Sequence, residues 1–135
     1  MFVLDCSVTM AWAFDDEDVP RAAGMRDRLG EDAAIVPAVW TLEVGNALLA
    51  AERRKRISRA ESARFLEILR ALPIEVVAAS ALGTLSSLLS LARHTGVSVY
   101  DVSYLDLAAA HGLSLATLDK ALVRAARQIG VALLE

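Results

Sequence analysis

The chain holds 135 residues, the length of a single domain at about 100–150 residues each, so one domain spanning 1–135 is expected. Hydrophobic residues make up 56% and charged residues 23%, a balance that excludes intrinsic disorder, while 14 basic against 17 acidic side chains give a net charge of −3 and exclude the broad basic field of a general nucleic-acid binder. The lone cysteine, Cys6, excludes an internal disulfide framework, no Cys/His set has zinc-ligand spacing, and the compartment expected is a reducing cytoplasm.

Phe2-Val3-Leu4 reads as a short strand ending at Asp5, with Ser7 as N-cap of a helix from Val8 to Phe14. No basic stretch precedes it, and Asp5 interrupts the apolar run that a signal peptide needs. Pro20 opens a second helix that reaches Leu29, Gly30 stops it, and Ala34-Ile35-Val36 forms the second strand. Pro37 opens the next helix, over 38–56, in which Trp40, Val44, Ala47, Leu48 and Ala51 recur at helical spacing. Ser58 and Glu61 make a capping box for a helix with Phe65, Leu66, Leu69 and Leu72 as its inner face, and Pro73 ends it.

Ile74-Glu75-Val76-Val77 is the third strand, followed by a helix from Ser80 to Thr95 closed by Gly96, with Arg93 and His94 in its last turn. The uncharged run from Val76 to Ala92 is shorter than the ~20 apolar residues of a membrane span and carries Ser80, Thr84, Ser86, Ser87 and Ser90, so a core helix is expected there. A helix from Tyr100 to His111 closed by Gly112, a fourth strand from Leu113 to Thr117, a helix from Asp119 to Gln128 and a last short strand from Val131 to Leu134 complete the chain. Strands alternating with helices define an α/β fold, with a mostly parallel sheet covered by helices on both faces.

Ligands of such sheets bind beyond the carboxyl ends of the strands. Asp5 follows the first strand, and Asp119 follows the fourth with Thr117 at its end. Glu43 and Asp101 lie on helices with no cation three or four residues away, unlike Glu52 with Arg56, or Glu67 between Arg64 and Arg70, which read as solvated pairs. Each acid also has a purely structural reading. Asp101 and Asp119 could cap helices, Asp5 could serve a turn, and Glu43 could sit at the wet edge of an apolar stripe. Together the four favour a shared site, because carboxylates gathered in a cleft repel one another and are resolved by a divalent cation, Mg2+ or Mn2+.

Other chemistries fit less well. Neither a phosphate-binding G-x-x-x-x-G-K-[ST] nor a G-x-G-x-x-G after the first strand is present, which speaks against ATP and NAD enzymes. A phospho-accepting receiver would need an acid where Ala78-Ala79 stand, and a dehalogenase-like phosphatase would need Asp-x-Asp where the chain has Asp5-Cys6-Ser7. Cys6 reads as a small buried hydrophobe, and His94 and His111 sit near helix C-termini, where contacts with the helix dipole explain them.

The order Asp5-x-Ser7, Trp40-x-x-Glu43-x-x-Asn46-Ala47-Leu48, Tyr100-Asp101-x-x-Tyr104-Leu105 and Leu115-Ala116-Thr117-x-Asp119-x-x-Leu122 resembles PIN domains, specifically the VapC-type toxin ribonucleases. The resemblance covers essentially the whole chain. It implies a three-layer PIN-like domain with an acidic metal and catalytic site formed by Asp5, Glu43, Asp101 and Asp119. Ser7 and Thr117 match positions whose hydroxyls assist metal or phosphate, and Asn46 matches a supporting position. Asp106 departs from the family pattern and lies about 140° around its helix from Asp101.

The implied activity is Mg2+- or Mn2+-dependent endoribonuclease cleavage by the toxin of a toxin–antitoxin pair. The implied partners are RNA, a cognate VapB-like antitoxin and a second copy of the chain, with no membrane. Arg53, Arg54, Lys55, Arg56 and Arg59 form the best basic patch for RNA, or a solvated turn. Trp12, Phe14, Leu49 and Phe65 are candidates for apolar side chains left exposed to a partner. A PIN-like module that binds without cutting, or a nuclease for another nucleic acid, remains the alternative.

Overall fold

The computed structural model describes residues 1–14, 19–78 and 84–135. Its central strand is β1 (Phe2–Leu4), three residues with essentially no solvent exposure. Such a strand must be flanked by strands on both edges and by helices on both faces. On one side it pairs with β2 (Ala34–Pro37), Phe2 opposite Ala34 and Val3 opposite Ile35; on the other it pairs with β4 (Leu115–Ala116), Val3 opposite Leu115. The outer strand β3 (Ile74–Val77) pairs with β2 and exposes Glu75 and Val76, as an edge strand can. All pairings are parallel, in the order β3-β2-β1-β4. The α/β class and the parallel sheet expected from the sequence are therefore present.

This order places the site. The chain proceeds outward from β1 to β2 and β3, then returns to lay β4 on the opposite side of β1. The crevice at the carboxyl ends of β1 and β4 is the topological switch point, where open α/β sheets bind ligands.

Helices α1 (Cys6–Ala13) and α2 (Val19–Asp27) with a 3-10 turn (Arg28–Gly30) link β1 to β2. Helices α3 (Val39–Arg53) and α4 (Arg59–Ala71) link β2 to β3. Helices α5 (Leu85–Thr95) and α6 (Val99–His111) link β3 to β4, and α7 (Lys120–Ile129) follows. The capping box of Ser58 and Glu61 is formed, and Gly96 and Gly112 close their helices at φ 75° and 62°, a conformation that costs side-chain-bearing residues strain. The aromatic polar handles are used inside: Trp40 Nε1 donates to Thr9 Oγ1 at 3.0 Å and Trp12 Nε1 to the Ala22 carbonyl at 2.7 Å. No described helix is long and apolar enough to cross a membrane.

Several expectations are corrected. The N-cap of α1 is Asp5, not Ser7, because the carboxylate reaches the backbone two residues on while the Ser7 hydroxyl is engaged elsewhere. Leu29 lies in the 3-10 turn rather than in α2. The last strand reduces to one parallel bridge, Leu133 to Leu115. The start of the helix expected from Ser80 lies outside the described residues. The part that is described is peripheral, not core: Leu85 and Leu89 are exposed and only Thr95 is buried.

On α4, Phe65 and Leu69 are buried, but Leu66 is exposed and Leu72 only half-buried. Of the four side chains expected to be exposed, only Leu49 is; Phe65 is buried and Trp12 and Phe14 are half-buried against the core. Trp12 of α1 and Phe65 of α4 line one cavity together with Ile57 and Ile68.

Phe65→Ala is therefore expected to cost about 3–5 kcal/mol, the price of emptying a buried aromatic site, whereas Leu42→Ala on the exposed face of α3 should stay within about 0.5 kcal/mol. Urea denaturation of the two variants checks this; equal losses would contradict the packing described.

Candidate active site

Asp5 is buried at the carboxyl end of β1, and its Oδ2 is the hub of the site. It accepts from the Ser7 hydroxyl at 2.5 Å, the Thr117 hydroxyl at 2.8 Å and the Ser7 backbone N–H at 3.4 Å. Both hydroxyls are themselves oriented. Ser7 Oγ accepts from the Leu118 N–H at 2.9 Å and Thr117 Oγ1 from the Asp119 N–H at 3.1 Å, which leaves each hydroxyl proton for Asp5. The network ties the end of β1 to the end of β4. Oδ1 of Asp5 receives no hydrogen bond from the described residues, and no buried side-chain oxygen or nitrogen lacks a partner, so Oδ1 faces the cleft.

Asp119 caps α7, its Oδ1 accepting from Ala121 N at 2.8 Å and Leu122 N at 3.2 Å, so the capping reading of this residue is correct and one carboxylate oxygen remains for other work. Asp101 is relieved of capping, because Ser98 caps α6 by accepting the Asp101 N–H at 3.1 Å. Glu43, half-buried on α3, accepts a 2.6 Å hydrogen bond from the hydroxyl of Tyr104, which is wholly buried on α6.

Tyr104 is a positioning residue to which the sequence reading assigned no role. A signal was available: a tyrosine one turn beyond Asp101 on the inward side of a helix needs a partner for its hydroxyl.

The charges act on one another. Burial raises the Asp5 pKa, and Asp119 pushes it further, against the lowering effect of Ser7 and Thr117. Burial raises Glu43, with Asp5 and Asp101 adding to the rise and Tyr104 opposing it. Asp101 is raised by burial and by Asp119 and Asp5, with the Ser98 hydroxyl opposing. Every charged group acting on these three is another acid. The Cys6 thiol beside them is pushed up to about 12 by burial and by Glu43 and Asp5, so it stays protonated; it is half-buried against the core, not fully buried as expected.

The donor set suits a hard divalent cation: carboxylates that no cation among the described residues balances. Among the described residues, however, no three His, Cys, Asp or Glu side chains stand close enough to hold an ion. Asp5, Glu43, Asp101 and Asp119 are near enough to act on one another electrostatically without standing at ligand separation.

Other expected site residues lie apart. Asn46 is exposed one turn from Glu43 and makes no hydrogen bond among the described residues. Arg53, Arg54, Lys55 and Arg56 lie at the far end of α3, about 15 Å along the helix from Glu43. Lys55, Arg56 and Arg59 line a cavity of about 450 Å³ with Glu52 and Glu61, and Lys55 has φ 58°. The guanidinium of Arg56 stacks over Phe14 at 4.5 Å, and Glu52 accepts from Ser62 at 2.9 Å instead of pairing with Arg56 as expected. The pair expected between Glu67 and Arg70 is present at 2.6 Å. Asp106 faces α5, sharing a cavity with Ser90 and His94 away from the four acids.

The carboxyl ends of β1 and β4 thus carry Asp5 and Asp119, with Glu43 and Asp101 near enough to act on them electrostatically. Residues 2–128 match the PIN domain family, and the chain belongs to it. PIN domains are generally nucleases that use divalent metals. The crystal structure of PAE2754 from Pyrobaculum aerophilum is similar, with 25% identity and a TM-score of 0.68 over 92% of this chain and 78% of that one. No curated protein sequence matches the chain.

The raised acids set a pH dependence. A carboxyl with a folded pKa above its unfolded value of about 4 binds its proton more tightly when folded, so stability rises as pH falls through the raised value and stops rising near pH 4. With EDTA present, the raised carboxyls should make the melting temperature increase as pH is lowered from 7 towards about 4. Asp101→Asn, which relieves the repulsion permanently, should raise the pH 7 melting temperature by a few degrees and flatten the trend; a melting temperature that falls over this range would contradict the charge arrangement.

Proposed function

We propose that this chain is a metal-dependent endoribonuclease and the toxin of a VapC-type toxin–antitoxin pair, with residues 1–135 forming one domain that acts in the cytoplasm. The observation that carries the reading is the convergence of four acids on the β1–β4 switch point with only acids acting on one another. Asp5, Asp119, Asp101 and Glu43 are the residues that would hold Mg2+ or Mn2+, Asp5 and Asp119 each having a carboxylate oxygen not used in the hydrogen bonds described. Such an ion, when bound, would supply a water of lowered pKa and offset charge at the scissile phosphate. Ser7 and Thr117 hold Asp5 in place, and Tyr104 holds Glu43. Arg53, Arg54, Lys55 and Arg56 are the RNA-contacting residues suggested by sequence, with Asn46 in a supporting place.

The apolar surface supports a partner. Leu42 and Leu49 are exposed on α3 and Leu66 on α4, and between these helices lies a cavity of about 340 Å³ lined by Trp40, Val44, Leu66, Leu69 and Ile74. A helical segment of an antitoxin, or a second copy of the chain, buries such a surface.

Purified protein incubated with total cellular RNA should cleave it with Mn2+ and not with EDTA. Asp5→Asn, Asp101→Asn and Asp119→Asn should each lower the rate by about 100-fold or more while folding persists, and Tyr104→Phe by about tenfold. Undiminished cleavage by Asp5→Asn would overturn the site. Saturating Mn2+ should raise the melting temperature, as about 2.7 kcal/mol of stabilisation accompanies a ligand at a hundredfold its dissociation constant. Binding of RNA with no cleavage under any divalent metal favours the non-cutting module instead.

A further inference from the structure

An acidic pocket repels the polyanion it is to cut, so binding energy for a nucleic-acid strand must come from cations beside the pocket. Helix α7 supplies them. It begins at Asp119, in the site, and its charged residues are Lys120, Arg124 and Arg127, with no acid among its ten residues. At 100° per residue these three fall within about 60° of arc and extend about 10 Å down the helix. All three are exposed, on the side opposite the buried Leu122, Ala125 and Ala126. None is paired with an acid among the described residues.

Two features separate this stripe from an ordinary solvated face. Lys120 stands in the first turn, where the helix dipole disfavours a cation and an acid would be stabilising. The cations of α4 share their helix with Glu61 and Glu67, and Glu67 is paired with Arg70, whereas those of α7 are unopposed. The basic residues at the end of α3 are a weaker candidate, since they begin about 15 Å from Glu43, share their cavity with Glu52 and Glu61, and include an arginine stacked on Phe14.

We propose that Lys120, Arg124 and Arg127 form a track for successive phosphates of a single-stranded nucleic acid, leading the strand along α7 into the acidic switch point. This rests on the nuclease reading and deepens it. The strand whose scissile phosphate sits among the four acids has its neighbouring phosphates neutralised by α7.

The test is binding of a fluorescently labelled single-stranded RNA of mixed sequence, measured by anisotropy over a range of salt with EDTA present to prevent cleavage. In the combined variant Lys120→Gln, Arg124→Gln, Arg127→Gln, affinity at low salt should fall by about tenfold or more, and the slope of log affinity against log salt should become shallower by about 2, from about 0.7 per lost phosphate contact. The melting temperature of this surface variant should match the parent, and the companion variant Arg53→Gln, Arg54→Gln, Lys55→Gln should lose less. Unchanged affinity and slope in the α7 variant, a larger loss in the companion, or tighter binding of the parent to duplex would each overturn the proposal. If the parent cleaves RNA while the α7 variant binds as the parent does, only the track is wrong; if the parent neither binds nor cleaves, the nuclease reading falls with it.

Discussion

Asp5 is a carboxylate buried at the end of the most buried strand, and the structure around it is arranged so that this is tolerable. A buried charge without partners costs several kcal/mol, so Oδ2 must be satisfied, and three donors satisfy it. Two of those donors are held in turn by backbone N–H groups of the segment after β4. The hydrogen-bond chain is therefore a clamp between β1 and β4, two strands separated by over a hundred residues, and the remaining oxygen of Asp5 is left facing the cleft. Removing Thr117 would weaken the clamp and shift Asp5 at once.

The same place concentrates a cost. Three acids whose pKa values are driven up by burial and by one another lie where hydrophobic residues or an ion pair would be more stable. A fold keeps such an arrangement only if the rest of the core carries it, and the fully buried residues of β1, β2, α6 and β4 do so. Stability and chemistry are separated in space, with the apolar strands beneath and the charges at their carboxyl ends.

Much of this was legible from residues alone, because the strands are short continuous apolar runs and the helices carry their own stop signals. Ser58 with Glu61, Gly96 and Gly112 act locally and were read correctly. What was misread depends on distant partners. Ser7 has the chemistry of an N-cap, but the cap belongs to Asp5 because Ser7 is needed by the chain segment after β4. Phe65 and Leu66 are neighbours on one helix, and Phe65 is buried while Leu66 is exposed, a difference that tertiary packing and not residue type decides. The acids of the site stood out because they lacked local cations. The role of Tyr104 did not, since its partner Glu43 is 61 residues away.

The four acids are contributed by segments at positions 5, 43, 101 and 119. Nothing in the pocket is local, and the clamp on Asp5 is completed only by Thr117 and Leu118. During synthesis on the ribosome, the first strand emerges long before its partner β4 exists, and the switch point cannot assemble until the segment following β4 has left the exit tunnel. The architecture thus delays the appearance of the finished site until the residues from Thr117 to Asp119 have emerged, so that the growing chain offers no competent site before then.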